Sequence, residues 1–187
     1  MRKIIGILIF VLVVNSAFCR NNQSSKIQPS MYIGYVGNFI KEPFGVFIHG
    51  INPNKFGFYI DIKLAISPGN VYDNISVQQA ESWGDSYLGE MNHYETIDIG
   101  LSKVIHSAGV VAFLGLGITK INHYQEYFDE MYILGEDGHY YVDEDMRFAP
   151  NLNLGLLMVA SKSIVFVFGA DLQPFGVNLG IGFNPTL

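Results

Sequence analysis

The chain has 187 residues, of which 49% are hydrophobic, 14% are aromatic and only 15% are charged. This length predicts one domain, and abundant aromatic residues at low charge exclude a disordered chain. The net charge of −6 argues against nucleic-acid binding, and a single cysteine excludes a disulfide framework or a cysteine-based zinc site.

The first 19 residues have the layout of a secretory signal peptide. A basic start precedes the apolar run 4–14, and small and polar residues follow it. This run is too short for the ~20 residues of a spanning helix. We therefore expect a cleaved signal peptide over residues 1–19 and a short polar segment over 20–30. Cleavage after Ser16 or after Cys19 fits the small-residue rule, and a lipidated Cys19 is an alternative.

From residue 31 onward, apolar and polar residues alternate with the period of a β-strand. Phe58, Ile60 and Ile62 share one face, for example, while Asp61 and Lys63 lie on the other. Most of the alternating segments are near the ~9–11 residues with which a tilted strand crosses a bilayer. The pattern predicts eight strands, over residues 31–40, 44–50, 56–66, 93–105, 109–121, 149–160, 163–173 and 175–184.

The connections between these strands sort into two classes by position. Those after the second, fourth and sixth strands are short and rich in turn residues. The two connections of over 25 residues follow the third and fifth strands, at the opposite end of the sheet. Outer-membrane barrels have this arrangement, with short periplasmic turns and longer extracellular loops. The sequence therefore predicts an all-β fold, an eight-stranded antiparallel transmembrane β-barrel over residues 31–187.

A soluble periplasmic β-barrel that binds a small apolar ligand is the alternative fold. There the apolar stripes would face inward and the polar face would meet water. The polar face carries many glycines and few charges, which is typical of a narrow barrel interior and not of a solvated strand.

The alternating strands and the glycine-rich terminal strand that ends at Phe183 resemble the small outer-membrane barrels of the OmpX and OmpA transmembrane-domain type. The resemblance begins at about Met31. It implies contact with outer-membrane lipid and insertion by the outer-membrane assembly machinery, which recognises a terminal aromatic residue. Here four residues follow Phe183, which departs from that pattern. Such barrels serve adhesion, envelope anchoring, transport and lipid modification, so the resemblance fixes no activity.

Four charged residues fall on the predicted lumen face, namely Asp61, Lys63, Asp98 and Asp171. Buried charges must be paired, because breaking such a pair costs ~3–5 kcal/mol. We expect Lys63 to pair with one or more of the three carboxylates, and foremost with Asp98 on the neighbouring strand. Eight strands leave an interior that side chains just fill, so we expect a plugged lumen and not a conducting path.

The connection between Asn122 and Phe148 is acidic and rich in tyrosine, with a turn signal at 136–138. It predicts a hairpin that projects beyond the membrane. Clustered carboxylates suit a divalent cation or a protein partner, but the spacing of an EF-hand is missing and no metal site is predicted. The other hypothesis is a solvated acidic loop whose deletion leaves the barrel intact. The candidate binding residues in the two long loops are Trp83, Glu126, Asp129, Glu130, Glu136, Asp137, Asp143, Glu144 and Asp145.

The predicted role is structural or surface-binding, exercised through the two long loops on an extracellular or envelope protein, without a cofactor or catalytic residues. The alternative is an enzyme at the outer rim that modifies lipid or peptide. Its candidate nucleophile and acid–base groups are His93 and His123 with Asp85, Ser86 and Glu90 nearby.

Overall fold

The computed structural model describes residues 28–41, 43–106, 109–135 and 137–186. The predicted signal peptide and most of the polar segment after it lie outside these ranges. In this part of the chain, no helix is long and apolar enough to cross a membrane. The elements are β1 (Ser30–Asn38), β2 (Phe44–Ile51), β3 (Gly57–Leu64), β4 (Val71–Tyr72), α1 (Val77–Trp83), β5 (Ser86–His106), β6 (Val110–Phe128), β7 (His139–Val159), β8 (Ile164–Leu172) and β9 (Phe175–Phe183).

Eight of the strands form one closed antiparallel ring. Along the chain, β1, β2, β3, β5, β6, β7, β8 and β9 each pair with the next, and β9 pairs back onto β1. The short β4 lies outside the ring, where Val71 and Tyr72 pair in parallel with β7. The ring confirms the predicted eight-stranded antiparallel barrel. Closure is how such a sheet removes its two edges.

The outer surface of the barrel is apolar. The alternating residues that the sequence placed together point outward and are exposed; they include Phe58, Ile60, Ile62, Ile97, Ile99, Leu101, Leu114, Leu116, Ile118, Leu154, Leu156, Val177, Leu179 and Ile181. This surface contradicts the soluble alternative, in which the same side chains would fill the core. A closed barrel with an apolar outer face is suited to a bilayer.

Charged side chains bound this apolar band at both ends. Glu95 and Lys120 form a half-exposed ion pair of 3.6 Å at one edge, and Lys103 lies at the other. The eight steps along β5 from Glu95 to Lys103 span about 27 Å. A strand tilt of ~40° reduces that to about 20 Å along the barrel axis, close to the ~25 Å apolar band of outer-membrane barrels.

Aromatic rings fill the lower half of the lumen, which is the half nearer the turn between β2 and β3. His49 stacks on Tyr59 with ring centroids 5.0 Å apart, and Phe113 contacts both rings at 5.0 and 4.9 Å. Phe47 meets His49 edge-on at 5.3 Å. All four side chains are buried. This layer is a packed core inside the barrel, as an eight-stranded interior requires.

Glycine on the lumen face makes room for these rings. A Cβ atom at Gly115 would lie 2.5 Å from the Tyr59 hydroxyl and 2.6 Å from its Cε1 atom. A Cβ atom at Gly100 would meet the same ring at 2.5 Å. The Tyr59 ring therefore lies flat across the neighbouring strands because both positions lack a side chain. This packing gives a specific reason for two of the glycines that the sequence placed on the lumen face.

We expect Gly115→Val to destabilise the folded barrel by at least ~1–3 kcal/mol, the cost of overpacking a filled core. Gly89→Val is the matched control, because a Cβ atom at Gly89 meets nothing within 4 Å. Urea unfolding of both variants in lipid vesicles measures the difference. Equal losses at the two positions would show that the Tyr59 ring does not pack against Gly115.

Three strands are about twice as long as the others. β5, β6 and β7 have 21, 19 and 21 residues, whereas the remaining ring strands have 8 or 9. The extra length continues past the apolar band at the end of the barrel with the long connections. We call this end the long-loop end, the opposite one the short-turn end, and residues 65–94 together with 122–148 the head.

The long strands correct the predicted strand ends near residues 93, 121 and 149. The connection between β6 and β7 is a continued hairpin whose loop covers only residues 129–138. Apolar alternation marks a strand only where one face meets lipid and the other the lumen. In the head both faces of the sheet carry polar residues, so the alternation ends before the strands do.

Candidate functional site

A charge network occupies the upper half of the lumen, which is the half nearer the long-loop end. Lys63 lies at its centre and is completely buried, at 0% exposure. Its Nζ atom is 3.0 Å from the nearer oxygens of Asp61 and Asp171 and 3.5 Å from Asp98. The structure thus brings together all four charged residues that the sequence put on the lumen face.

The order of these contacts differs from the expectation, which favoured Asp98. In the sheet register, Asp98 is directly opposite Asp61, while Lys63 is opposite Thr96. The Lys63 ammonium therefore approaches Asp98 only along a diagonal. Asp61, two residues away on the same face, and Asp171, across the lumen, lie nearer. Register, which the sequence did not fix, decides the pairing.

Three asparagines that the sequence analysis did not single out complete the network. The Asn151 side chain donates to Asp98 at 2.9 Å and to Asp171 at 3.1 Å. Asn153 donates to Asp61, and Asn178 donates to Asp171, both at 2.8 Å. Three carboxylates face one ammonium, so these amide donors stabilise the negative charge that Lys63 leaves uncompensated. Their inward position in the predicted strands was the signal that could have found them.

The head has a small hydrophobic core of its own. Tyr127 and Tyr140 lie side by side, with ring centroids 5.7 Å apart, on the face of the head sheet that continues the lumen face. Ile75 and Ala80 cover them from the other long connection. The Tyr140 hydroxyl donates to Asp85 at 2.7 Å, and burial together with this carboxylate raises the pKa of Tyr140. The hairpin therefore packs against the other long connection and is hydrogen-bonded to it.

The helix α1 covers this core and has sequence-encoded caps at both its N-terminus and its C-terminus. The Ser76 hydroxyl accepts from the Gln79 amide at 3.2 Å, and the Gln79 side chain accepts from the Ser76 amide at 2.9 Å. This is a capping box. Gly84 ends the helix at φ 82°, a conformation that glycine adopts without strain. The Ser76-to-Gln79 spacing is the sequence signal for α1.

The loop at the tip of the β6–β7 hairpin is held by Asp129. Its buried carboxylate accepts from the backbone amides of Met131, Ile133 and Leu134 at 2.8, 2.7 and 2.9 Å. These amides, first that of Leu134, hold the pKa of Asp129 below its ordinary value. Leu134 packs toward the head core, whereas Met131 and Ile133 are 79% and 74% exposed. Asp129 therefore has a structural role. Its carboxylate holds the loop in a conformation that leaves the apolar side chains of Met131 and Ile133 exposed at the tip.

We expect Asp129→Ala to release this tip, because three amides lose their acceptor. Amide hydrogen exchange at Met131, Ile133 and Leu134 should accelerate while exchange in the barrel strands stays unchanged. In the native chain the contribution of Asp129 is complete above the ordinary aspartate pKa of about 3.9. It is lost only as pH falls through the lowered folded-state pKa. Unchanged exchange in the variant would contradict this role.

The other predicted acidic residues are divided between two histidines and the solvent. Glu126 contacts His139 at 2.9 Å, Glu144 contacts His123 at 3.1 Å, and Asp137 accepts from the His139 amide. Glu136 lies outside the described residues. The remaining candidates are exposed, namely Trp83, Glu130, Asp143 and Asp145. Within the described ranges, no group of three or more His, Cys, Asp or Glu residues is arranged to hold a metal ion.

The candidate groups for a rim enzyme come together only in part, with His123 3.5 Å from Glu90. Ser86 pairs with Phe128, five residues along β6 from His123, which separates Ser86 from His123 by about 17 Å. Asp85 accepts from Tyr140, and His93 packs edge-on against Tyr124 at 5.3 Å. A nucleophile and its base need hydrogen-bond contact, so Ser86 and His123 do not form such a pair.

Comparison with known proteins yields structural neighbours only. No protein-family model and no curated protein matches the chain. Among solved structures it is similar to Ail, the attachment invasion locus protein of Yersinia pestis, at 13% identity and a TM-score of 0.47, over 84% of this chain and 95% of that one. The N-terminal β-barrel domain of Pseudomonas aeruginosa OprF is similar at 13% identity and a TM-score of 0.46, over 84% and 98%. These are small outer-membrane barrels, and the assignment of fold stands on the chain's own ring of paired strands.

Proposed function

We propose that this chain is an integral outer-membrane β-barrel that binds a protein partner outside the cell through its head, after export by a cleaved signal peptide. The apolar band supports membrane insertion. The two long connections lie at the end of the barrel that carries the head, and the short turns lie at the other end. Because outer-membrane barrels keep their short turns in the periplasm, the head faces the exterior.

The observation that carries this proposal is the folded head. Spanning the membrane takes ~9–11 residues per strand, yet β5, β6 and β7 continue for about as many again. The head buries Tyr127, Tyr140 and Val142 under α1, and Asp129 fixes its tip. None of this contributes to the closed ring in the membrane. An ordered structure that the barrel does not require is typical of a recognition surface.

The surface of the head indicates the chemistry of its partner. Met131 and Ile133 form an exposed apolar tip on a strongly acidic hairpin. In the described residues, no strand pairs with the outer edge of β5 between Ser86 and His93. Exposed apolar patches and unpaired strand edges are both contact sites in proteins. Charge complementarity favours a partner with a basic surface around an apolar cleft.

The filled lumen favours binding over transport. Lys63 and its partners occupy the upper half, and the rings around Tyr59 occupy the lower half. Above them, the Thr96 and Thr119 hydroxyls are 3.1 Å apart. Small barrels whose interior side chains are packed in this way present their function at the loops.

The orientation can be tested on intact cells that express the full chain. Asp137→Cys should react with a membrane-impermeant maleimide, whereas Lys162→Cys should react only after the outer membrane is permeabilised. The reverse pattern would place the head in the periplasm.

Partner binding can be tested with a photo-crosslinking amino acid in place of Tyr132. We expect one discrete protein adduct that weakens at high salt and disappears in the double variant Met131→Ser, Ile133→Ser. A crosslinker at Phe175, on the outward face of β9, is the control. The absence of a discrete adduct, or an adduct indifferent to the tip substitutions, would leave the head with a shielding role only.

A further inference from the structure

The charges outside the lumen are divided between the two ends of the barrel. Every described carboxylate outside the lumen network belongs to the long-loop end. The strand ends and turns of the short-turn end contain no Asp or Glu in the sequence, but they carry Lys55, Lys103 and Lys162. Such a one-sided distribution produces a positive potential at one end and a negative potential at the other.

The three lysines are spread around the rim and do not form a single patch. Lys55 lies in the turn between β2 and β3, Lys103 lies near the end of β5, and Lys162 lies in the turn between β7 and β8. In the order of the ring, these positions span four of the eight strands, which is half of the circumference. A soluble anion or a docked protein contacts one side of a rim. A lipid leaflet surrounds all of it.

Lys103 also lies at the depth of lipid headgroups. It points outward, like Leu101 two residues before it, at the lower edge of the apolar band. Its ammonium is 5.2 Å from the centroid of the Phe56 ring, which is 65% exposed. An aromatic ring beside the charge holds the ammonium at the boundary between hydrocarbon and water. The phosphates of phospholipids lie at this boundary.

We propose that Lys55, Lys103 and Lys162 form a girdle that binds anionic phospholipid headgroups in the periplasmic leaflet. The ammonium groups contact the phosphodiester of a lipid whose headgroup carries no compensating amine, such as phosphatidylglycerol. The proposal rests on the membrane insertion argued above. It adds that the short-turn end selects its lipid by charge.

The test uses the purified full chain refolded into phosphatidylcholine vesicles that contain spin-labelled phosphatidylglycerol or spin-labelled phosphatidylcholine. We expect the protein-bound lipid fraction to favour phosphatidylglycerol about two- to fivefold. The upper limit is the preference that the binding energy of one lysine at an anionic surface would produce. High salt should reduce this preference. The triple variant Lys55→Gln, Lys103→Gln, Lys162→Gln should lose it, and the triple Arg variant should retain it.

The matched control is Lys41→Gln, Lys120→Gln, Arg147→Gln at the long-loop end, which should leave the preference unchanged. Equal preference in the wild type and the short-turn Gln variant, with normal folding of both, would overturn the girdle. If the Gln variant fails to fold, a preference in the wild type that is insensitive to salt would overturn the girdle as well. If the wild type shows no protein-bound lipid at all, the proposed membrane insertion fails instead.

Discussion

Lys63→Met is expected to destabilise the folded barrel by ~3–5 kcal/mol, the cost of leaving buried charges without their partner. The Lys63 ammonium lies within 3.0–3.5 Å of three carboxylates, and all four side chains are buried. Without it, Asp61, Asp98 and Asp171 repel one another across the lumen. Unfolding in lipid vesicles measures the loss.

The combined variant Lys63→Met, Asp61→Asn, Asp171→Asn should be less destabilised than Lys63→Met alone. Removing an ammonium together with two of its carboxylates lowers the uncompensated charge, so the effects do not add. Lys120→Met is the control. It breaks a half-exposed ion pair with Glu95, and such pairs contribute at most ~1 kcal/mol. Additive losses in the lumen would show that these charges do not interact.

The spanning part of the barrel could be predicted because the bilayer imposes a strict pattern. Each residue there faces either hydrocarbon or lumen, so the period of two gives both the strands and the facing of each side chain. Lys63 could be matched to its carboxylates because a buried ammonium has few alternatives. The order of its contacts depended on register, which fixes Asp61 opposite Asp98 and which alternation leaves open.

The head could not be predicted in the same way, because it lies outside the lipid and no regular apolar alternation marks its strands. The tyrosine content of the hairpin predicts only an aromatic loop, whereas Tyr127 and Tyr140 form part of a core. Sequence alone does not distinguish Asp129 from the other acids of the hairpin, although its carboxylate accepts from backbone amides. The composition of the hairpin was visible in the sequence, but which carboxylate fixes the tip depends on the fold of residues 129–138.

The cost of a charge on the outward face of the barrel depends on how deep in the apolar band the charge lies. Ile60 lies at the middle of β3, where its register partners are Ile48 and Ile99. Leu64 lies four residues along the same outward face and pairs with Glu95, which belongs to the ion pair at the edge of the band. The two positions therefore differ in depth while sharing a strand, a facing and an apolar side chain.

We expect Ile60→Arg to cost ~2–4 kcal/mol and Leu64→Arg only ~0–1 kcal/mol, since a cation at the bilayer midplane loses its hydration and one at the rim retains it. At position 64 the guanidinium also lies opposite Glu95. Folding yield and urea unfolding in vesicles measure both variants. In detergent micelles, where water reaches the side chain more easily, the gap should narrow. Equal stability of the two variants in vesicles would show that the outward face of β3 does not cross a hydrocarbon core, and the membrane assignment would fall with it.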